Sequence, residues 1–249
     1  MEKLHKLLFE LSSAERINIM LELQRKEMKL SQLSRHLNLT VTETSRHLQR
    51  LTQAKLVQKA PDGFFMISQF GKLALFLLRD LNFLTTNSEY FQEYDVSAIP
   101  EQFIDRLGEL EKSTCVEETF KNLEEGEERI REAEEFVWIL SNDVLSNTIP
   151  VLMEKTKKPF DLRIILPEGK FPPENLSRLP ATNGSIHKRT LPKVDVLDVM
   201  TEKYAVFCLP NRKGRIDYTG FSGKDDKFHR WCKDLFLHYW EKAKPLVTN

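Results

Sequence analysis

The sequence predicts an α+β chain: a helical N-terminal region closed by a β-hairpin (residues 1–84), a helical linker (85–135) and a C-terminal α/β domain (136–249). Two patterns carry that prediction. Apolar residues recur at helical spacing through the first half, whereas short β-branched and aromatic runs alternate with helical stretches after Phe136. A third pattern lies beneath the formal charge of zero. The net charge is +5 over residues 1–80, −11 over 81–140 and +6 over 141–249, a segregation expected of segments with separate tasks.

At 249 residues and 41% apolar composition, the chain can bury one large core or two ordinary ones. Its most apolar run, Leu73 to Leu78, lies between Lys72 and Arg79. That is far short of the ~20 residues that span a bilayer, so no membrane partner is expected. The N-terminus lacks a secretory signal pattern. Cys115, Cys208 and Cys232 are odd in number and scattered, which disfavours a disulfide framework and points to a reducing cytoplasm.

Leu4, Leu7, Leu8 and Leu11 form the stripe of a first helix. Ser12 and Glu15 have the spacing of a capping box, which restarts the chain as a helix through Ile17, Met20, Leu21 and Leu23. Ser31 is placed to cap a short helix carrying Leu33 and Leu37. Asn38-Leu39 supplies a tight turn, because Asn tolerates left-handed backbone angles. Thr40 and Glu43 then form a second capping box, with Glu43 turned back to its own cap.

In the helix that follows, Val41, Thr44, Leu48 and Leu51 fall on one side, and Thr42, Arg46, Gln49, Arg50 and Gln53 on the other. Arg can fork onto guanine, Gln onto adenine, and Thr can meet a thymine methyl. Leu56 to Lys59, Pro61-Asp62-Gly63 and Phe64 to Ile67 read as strand, turn and returning strand. A hairpin directly after such a helix is a wing. Residues 1–84 are therefore expected to be a winged helix-turn-helix on double-stranded DNA, with Lys55 and Lys59 meeting backbone phosphates.

The segment from Ser31 to Leu51 resembles the recognition segment of ArsR-type winged helices. The resemblance implies that Ser45-Arg46-His47-Leu48 lies in the DNA-reading helix. Where that family usually has Gly before Leu-Val, this chain has Lys55, a departure that bears on the helix end rather than the readout. His47 falls toward the core side, so a packing role competes with a phosphate contact. The expected DNA-binding set is Thr40, Thr42, Ser45, Arg46, Gln49, Arg50, Gln53, Lys55, Lys59, Asp62 and Gly63.

Leu73, Leu75, Phe76, Leu77, Leu78, Leu81 and Leu84 surround almost the whole circumference of a helix, which must be covered on more than one face. A second subunit is the expected cover, since a homodimer suits half-sites ~34–36 Å apart. Residues 85–100 hold turn-formers and end at Pro100, the expected linker. Phe103, Ile104, Leu107 and Leu110 repeat at helical spacing, and the acidic run from Glu124 to Glu135 reads as a solvated helix face.

Phe136 to Leu140 and Asp161 to Leu166 read as buried strands joined by a helix, a βαβ unit in which Pro150 must lie in the helix's first turn or kink it. Residues 167–184 read as a loop. Ile186 to Leu191, Val196 to Met200 and Tyr204 to Leu209 are further strands, with a turn at Asn211 to Gly214. Asp225 caps a last helix carrying Phe228, Trp231, Leu235 and Tyr239 on one face. The segments Gly214 to Tyr218 and Trp231 to Trp240 resemble the closing motifs of archaeal FilR-type methanogenesis regulatory proteins, and the likeness runs across most of residues 80–245, including Ser97 to Pro100. It implies an archaeal regulator with a middle and C-terminal regulatory region. The same region bears a weaker resemblance to degenerate phospholipase-D-like sensor domains.

An attached phosphodiesterase is the rival reading. It needs a His nucleophile with Lys two residues on, whereas His187 is followed by Arg189, and Asp195 stands one position beyond the required spacing. The nearest metal-like set, His229, Cys232 and His238, cannot converge, because His238 projects from the opposite side of its helix. No phosphate-binding loop, nucleophile elbow or paired-Cys pattern occurs, so neither enzyme, cofactor nor metal is expected. A small-molecule effector or signalling protein is the expected input to the C-terminal domain. Open α/β sheets bind ligands beyond their strand carboxyl ends, which selects Ser141, Asn142, Asp143 and Arg163. The whole then reads as a dimeric, sequence-specific transcriptional regulator, against an enzyme or an adaptor whose winged helix binds protein.

Overall fold

The structure, a computed structural model, describes residues 1–116, 119–143, 148–170 and 186–246, with the backbone alone at 119–122. It divides into two compact units, Met1–Arg79 and Asp80–Asn249.

The first unit contains α1 (Glu2–Leu11), α2 (Ala14–Arg25), β1 (Met28–Lys29), α3 (Leu30–His36), α4 (Val41–Gln53), β2 (Val57–Lys59) and β3 (Phe64–Ile67). Helix α5 (Gln69–Thr86) carries the chain into the second unit. The strands form one antiparallel sheet in the order β1-β3-β2. Strand β1 lacks any sequence signal of its own: two residues long, it exists because Met28 and Lys29 pair with Phe65 and Phe64.

Two caps lie where the sequence reading did not put them. The Ser12 hydroxyl donates to the Phe9 carbonyl and finishes α1, so Ser13, not Ser12, caps α2 by accepting the Arg16 N–H at 3.3 Å. Helix α3 begins before Ser31, where the Gln32 side chain accepts the Lys29 N–H at 2.8 Å. The Thr40–Glu43 box forms as expected, with reciprocal bonds of 3.0 and 3.2 Å.

Helices α3 and α4 both end in the same way. Asn38 (φ 52°) and Lys55 (φ 61°) take the left-handed conformation. The next N–H reaches back to the Ser34 carbonyl in one case and the Leu51 carbonyl in the other, both at 2.9 Å. Ile19, Met20, Leu33, Leu48, Leu51 and Leu56 fill the core between them. Gly71 sits where α5 crosses that core. A Cβ there would land on the Leu56 carbonyl oxygen, so only glycine permits the approach.

The second unit is an eight-stranded sheet with helices on both faces. Its elements are α6 (Ser88–Glu93), α7 (Glu101–Ile104), β4 (Thr114–Val116), α8 (Thr119–Glu132), β5 (Phe136–Leu140), α9 (Thr148–Lys155) and β6 (Asp161–Pro167). They continue with β7 (Ile186–Leu191), β8 (Leu197–Thr201), β9 (Ala205–Cys208), β10 (Gly220–Gly223), α10 (Asp226–Lys242) and β11 (Lys244–Pro245). The strand order is β11-β7-β6-β5-β8-β9-β10-β4, with β5, β6 and β7 parallel and the other pairs antiparallel. The expected βαβ unit is β5-α9-β6, and Pro150 lies in the first turn of α9, where its missing N–H costs nothing. Of the expected loop at 167–184, residues 171–184 lie outside the described residues.

Alternation along β5 sorts the core into two layers. Trp138 and Leu140 face α10, while Val137 and Ile139 face α8 and α9. Residues 85–110 pack within the first layer rather than standing apart as a linker. Tyr90 accepts the Leu209 N–H at 3.0 Å and donates to the Thr219 carbonyl at 3.4 Å. The apolar repeat from Phe103 to Leu110 breaks into α7 and a 3-10 turn, because Phe103, Leu107 and Leu110 turn toward that layer. On α8, Ile130 is buried while Glu124, Glu128 and Glu132 are exposed, the solvated face expected of the acidic run. Asp225 caps α10 through the Lys227 N–H at 3.0 Å. Trp231 is fully buried, its Nε1–H on the Phe103 carbonyl.

Candidate nucleic-acid interface

Helix α4 is fixed at both ends, by the Thr40–Glu43 box and the left-handed Lys55, and it buries Thr44, Leu48 and Leu51. That leaves the opposite flank to solvent. Thr42, Ser45, Arg46, Gln49 and Gln53 are all exposed, and Arg46 forms no ion pair among the described residues. Val41, expected on the buried side, is 56% exposed, because the first turn of the helix projects past the core.

Arg50 does not belong to this flank. Its guanidinium makes two hydrogen bonds to the Glu10 carboxylate, at 2.8 and 3.0 Å, and lies 4.9 Å from the Phe9 ring centroid. The hydrogen bond from Arg50 holds the Glu10 carboxyl below its ordinary range, and the same bond raises the Arg50 pKa. Arg50 is thus a clamp between α4 and α1, a correction to its expected outward role. Forty residues separate the pair in sequence, and helical spacing carries no trace of it.

Thr40 and Asp62 are likewise occupied internally. Thr40 caps α4, and the Asp62 side chain accepts the Phe64 N–H at 3.2 Å inside the turn between β2 and β3. That turn closes with the Gly63 N–H on the Ala60 carbonyl and Gly63 at φ 87°. Lys55 and Lys59 are exposed, the latter's ammonium 5.5 Å from the Phe65 ring. His47 is partly buried, and its Nδ1 has no hydrogen-bond partner among the described residues. Desolvation first, then the nearby Arg46 and Arg16 charges, depresses its pKa, so the neutral ring packs. A groove lined by Lys26, Gln32, Arg35 and His36 adds basic residues that the sequence reading did not select.

In the second unit the four expected effector residues do not converge. Ser141, just beyond β5, is buried, and its hydroxyl accepts the Asp143 N–H at 3.2 Å. Both residues line a cavity of about 70 Å³ beneath α8, together with Thr148 and Tyr218. Asn142 does not line it. Arg163 pairs with Trp138 in the sheet register, so it points to the other face. There its guanidinium meets Asp161 at 3.0 Å and stacks 4.4 Å from Trp138. Burial, followed by the Asp143 charge, pushes the Tyr218 hydroxyl pKa upward.

Residues 13–59 match the family described as "Bacterial regulatory protein, arsR family". The N-terminal unit carries an ArsR-type helix-turn-helix. The matched span includes all of α4 and β2, so the ArsR-type resemblance read from Ser31 to Leu51 is borne out. No curated protein matches the chain. Among solved structures, the chain matches that of TrmBL2, described as an archaeal chromatin protein whose structure shows a novel mode of DNA binding. The identity is 15% and the TM-score 0.45, over 88% of each chain.

The residues of the rival chemistries are engaged elsewhere. Arg189 donates to the Trp240 carbonyl at 2.7 Å and lies 4.3 Å from that indole, a cation at the C-terminal end of α10 beside this ArsR-type protein's larger sheet. Asp195 pairs with Lys193 at 2.8 Å. His229 donates to the Thr201 carbonyl, while His238 packs against Phe103. No helix among the described residues is long and apolar enough to cross a membrane.

Proposed function

We propose that the chain is a sequence-specific, DNA-binding transcriptional regulator that acts as a homodimer and whose second unit receives the signal. One observation carries this reading: the exposed flank of α4 presents Thr42, Arg46, Gln49 and Gln53 side by side next to the wing, on a helix that its caps hold rigid. Lys55 and Lys59 are then positioned for phosphates, which fix register without specifying sequence.

The test begins with selection of duplexes from a random pool by the full chain, followed by gel-shift titration. Arg46→Ala should weaken the selected site by about 1–3 kcal/mol, roughly 5- to 150-fold, and relax preference at one base position. Lys59→Ala should weaken all duplexes alike and lower the log–log salt slope by about 0.9. Failure to enrich any sequence, or unchanged binding by both variants, defeats the proposal.

Dimerisation is supported by apolar side chains that the first unit leaves uncovered. Leu73, Phe76 and Leu77 of α5 are 65%, 61% and 63% exposed, and Leu4, Leu8 and Phe9 of α1 are exposed as well. A second copy is the cover that two-fold half-sites would use. Leu73→Glu combined with Leu77→Glu should give a monomer in sedimentation that no longer prefers paired half-sites. The FilR-type resemblance over residues 80–245 belongs to this proposal, with the second unit as its regulatory region.

A further inference from the structure

We infer that the cavity beneath α8 is a binding site for a small, uncharged, largely apolar molecule carrying one hydrogen-bonding group. The inference gives the proposed signal-receiving role a site and a ligand class, and it rests on that reading. The cavity is walled by Ile130, Ile139, Leu197, Val199 and Val206 and measures about 70 Å³, several times the ~10–15 Å³ that one water requires. Apolar walls of this kind offer a water few partners, whereas a hydrocarbon restores the dispersion contacts that an unfilled space forfeits.

Gly126 is the second, independent observation. It lies in the interior of α8 and lines the cavity, and a Cβ built on it meets nothing within 4 Å. Neither close approach nor a left-handed backbone explains it, since its φ lies outside the positive region. A helix-interior glycine weakens its helix relative to alanine. Here that weakening leaves open the space that a side chain would fill.

The polar end of the cavity sets the ligand's charge. Ser141 is 2% exposed and offers its hydroxyl beyond the carboxyl end of β5, where open α/β sheets take ligands. Asp143 and Glu127 also line the space, and no Lys or Arg does among the described residues. Two carboxylates without a cation repel a carboxylate or phosphate and admit an alcohol or amide.

The experiment uses the full chain with labelled Ile, Leu and Val methyls. Benzyl alcohol is the probe, and benzoate is the anion of matching shape. Benzyl alcohol should shift the Ile139, Val199 and Val206 methyls saturably, and benzoate should bind at least tenfold more weakly. Gly126→Leu, which fills the cavity from α8, should abolish the shifts while raising the melting temperature read by tryptophan fluorescence. Val199→Phe fills the same space from the sheet, should leucine at 126 disturb the helix. Methyls unmoved by benzyl alcohol, benzoate binding as well as the alcohol, or both filled variants binding like the parent would overturn the inference. Saturable shifts with no change in operator affinity would sink the signalling role but leave the cavity a ligand site. Loss of operator binding in Arg46→Ala with intact methyl shifts separates the site from the DNA-reading proposal.

Discussion

Replacing Lys55 by glycine isolates one backbone contribution to the stability of the DNA-reading unit. Lys55 sits just past the end of α4 at φ 61°. Its own N–H bonds the Thr52 carbonyl at 3.0 Å, the Leu56 N–H bonds the Leu51 carbonyl at 2.9 Å, and its carbonyl accepts the Ser68 hydroxyl at 2.6 Å. These three bonds hold a conformation that costs an L-residue about 1–2 kcal/mol. Glycine removes that cost but surrenders about 0.5–1 kcal/mol more chain entropy on folding. The net gain is about 0.5–1 kcal/mol. All three tryptophans lie in the second unit, so the assay is amide hydrogen exchange at Leu51 and Leu56 in the full chain. Lys55→Gly should slow exchange there by about 2- to 5-fold. Lys55→Ala keeps the Cβ and the strain, and should exchange like the parent. Both variants remove the same cation, so both should lower the DNA salt slope by about 0.9 if Lys55 meets a phosphate. Equal exchange in the glycine and alanine variants would refute the strain argument.

Three further outcomes follow from the same geometry. Gly71→Ala forces a Cβ onto the Leu56 carbonyl, which is pinned by the Ser68 N–H; it should cost about 3 kcal/mol, read as faster exchange at Leu51 and Leu56. Arg50→Ala and Glu10→Gln should each loosen α1, the double variant should be no worse than either single one, and Arg46→Ala should leave α1 protection unchanged. Because the Glu10 carboxyl is held below its ordinary value of 4.5, the clamp is fully present above that pH and is lost as pH falls through the lowered pKa. Exchange at Leu7 and Leu11 should show that acid loosening, and Arg50→Ala should abolish it. Asp198 is wholly buried with neither carboxylate oxygen hydrogen-bonded among the described residues, and desolvation raises its pKa well above 3.8. An acid raised in this way binds its proton more tightly when folded, so stability is greatest below pH ~3.8 and declines as pH rises toward the folded pKa. Asp198→Asn should flatten that decline in tryptophan-monitored melts from pH 4 to 8, and an unchanged slope would exclude Asp198 as its source.

The sequence by itself determined what short-range physics controls. The Thr40–Glu43 box, the left-handed Asn38, the Pro61-Asp62-Gly63 turn and the Asp225 cap all involve groups within a few residues of one another, and each appears in the structure. The inward Thr44, Leu48 and Leu51 and the paired strands β5 and β6 follow from periodicity alone. What only the tertiary structure decided are relations between distant segments. Strands β1, β4, β10 and β11 carry too few residues to signal themselves and form because a partner strand presents an open edge. Residues 85–110 look like a linker until Tyr90 finds Leu209 and Thr219, over a hundred positions away. Arg50 leaves the reading flank because Glu10 folds beside it, and Arg163 leaves the effector set because strand alternation sends it to the opposite face. Local rules say which residues share a side; only the packed chain says what that side meets.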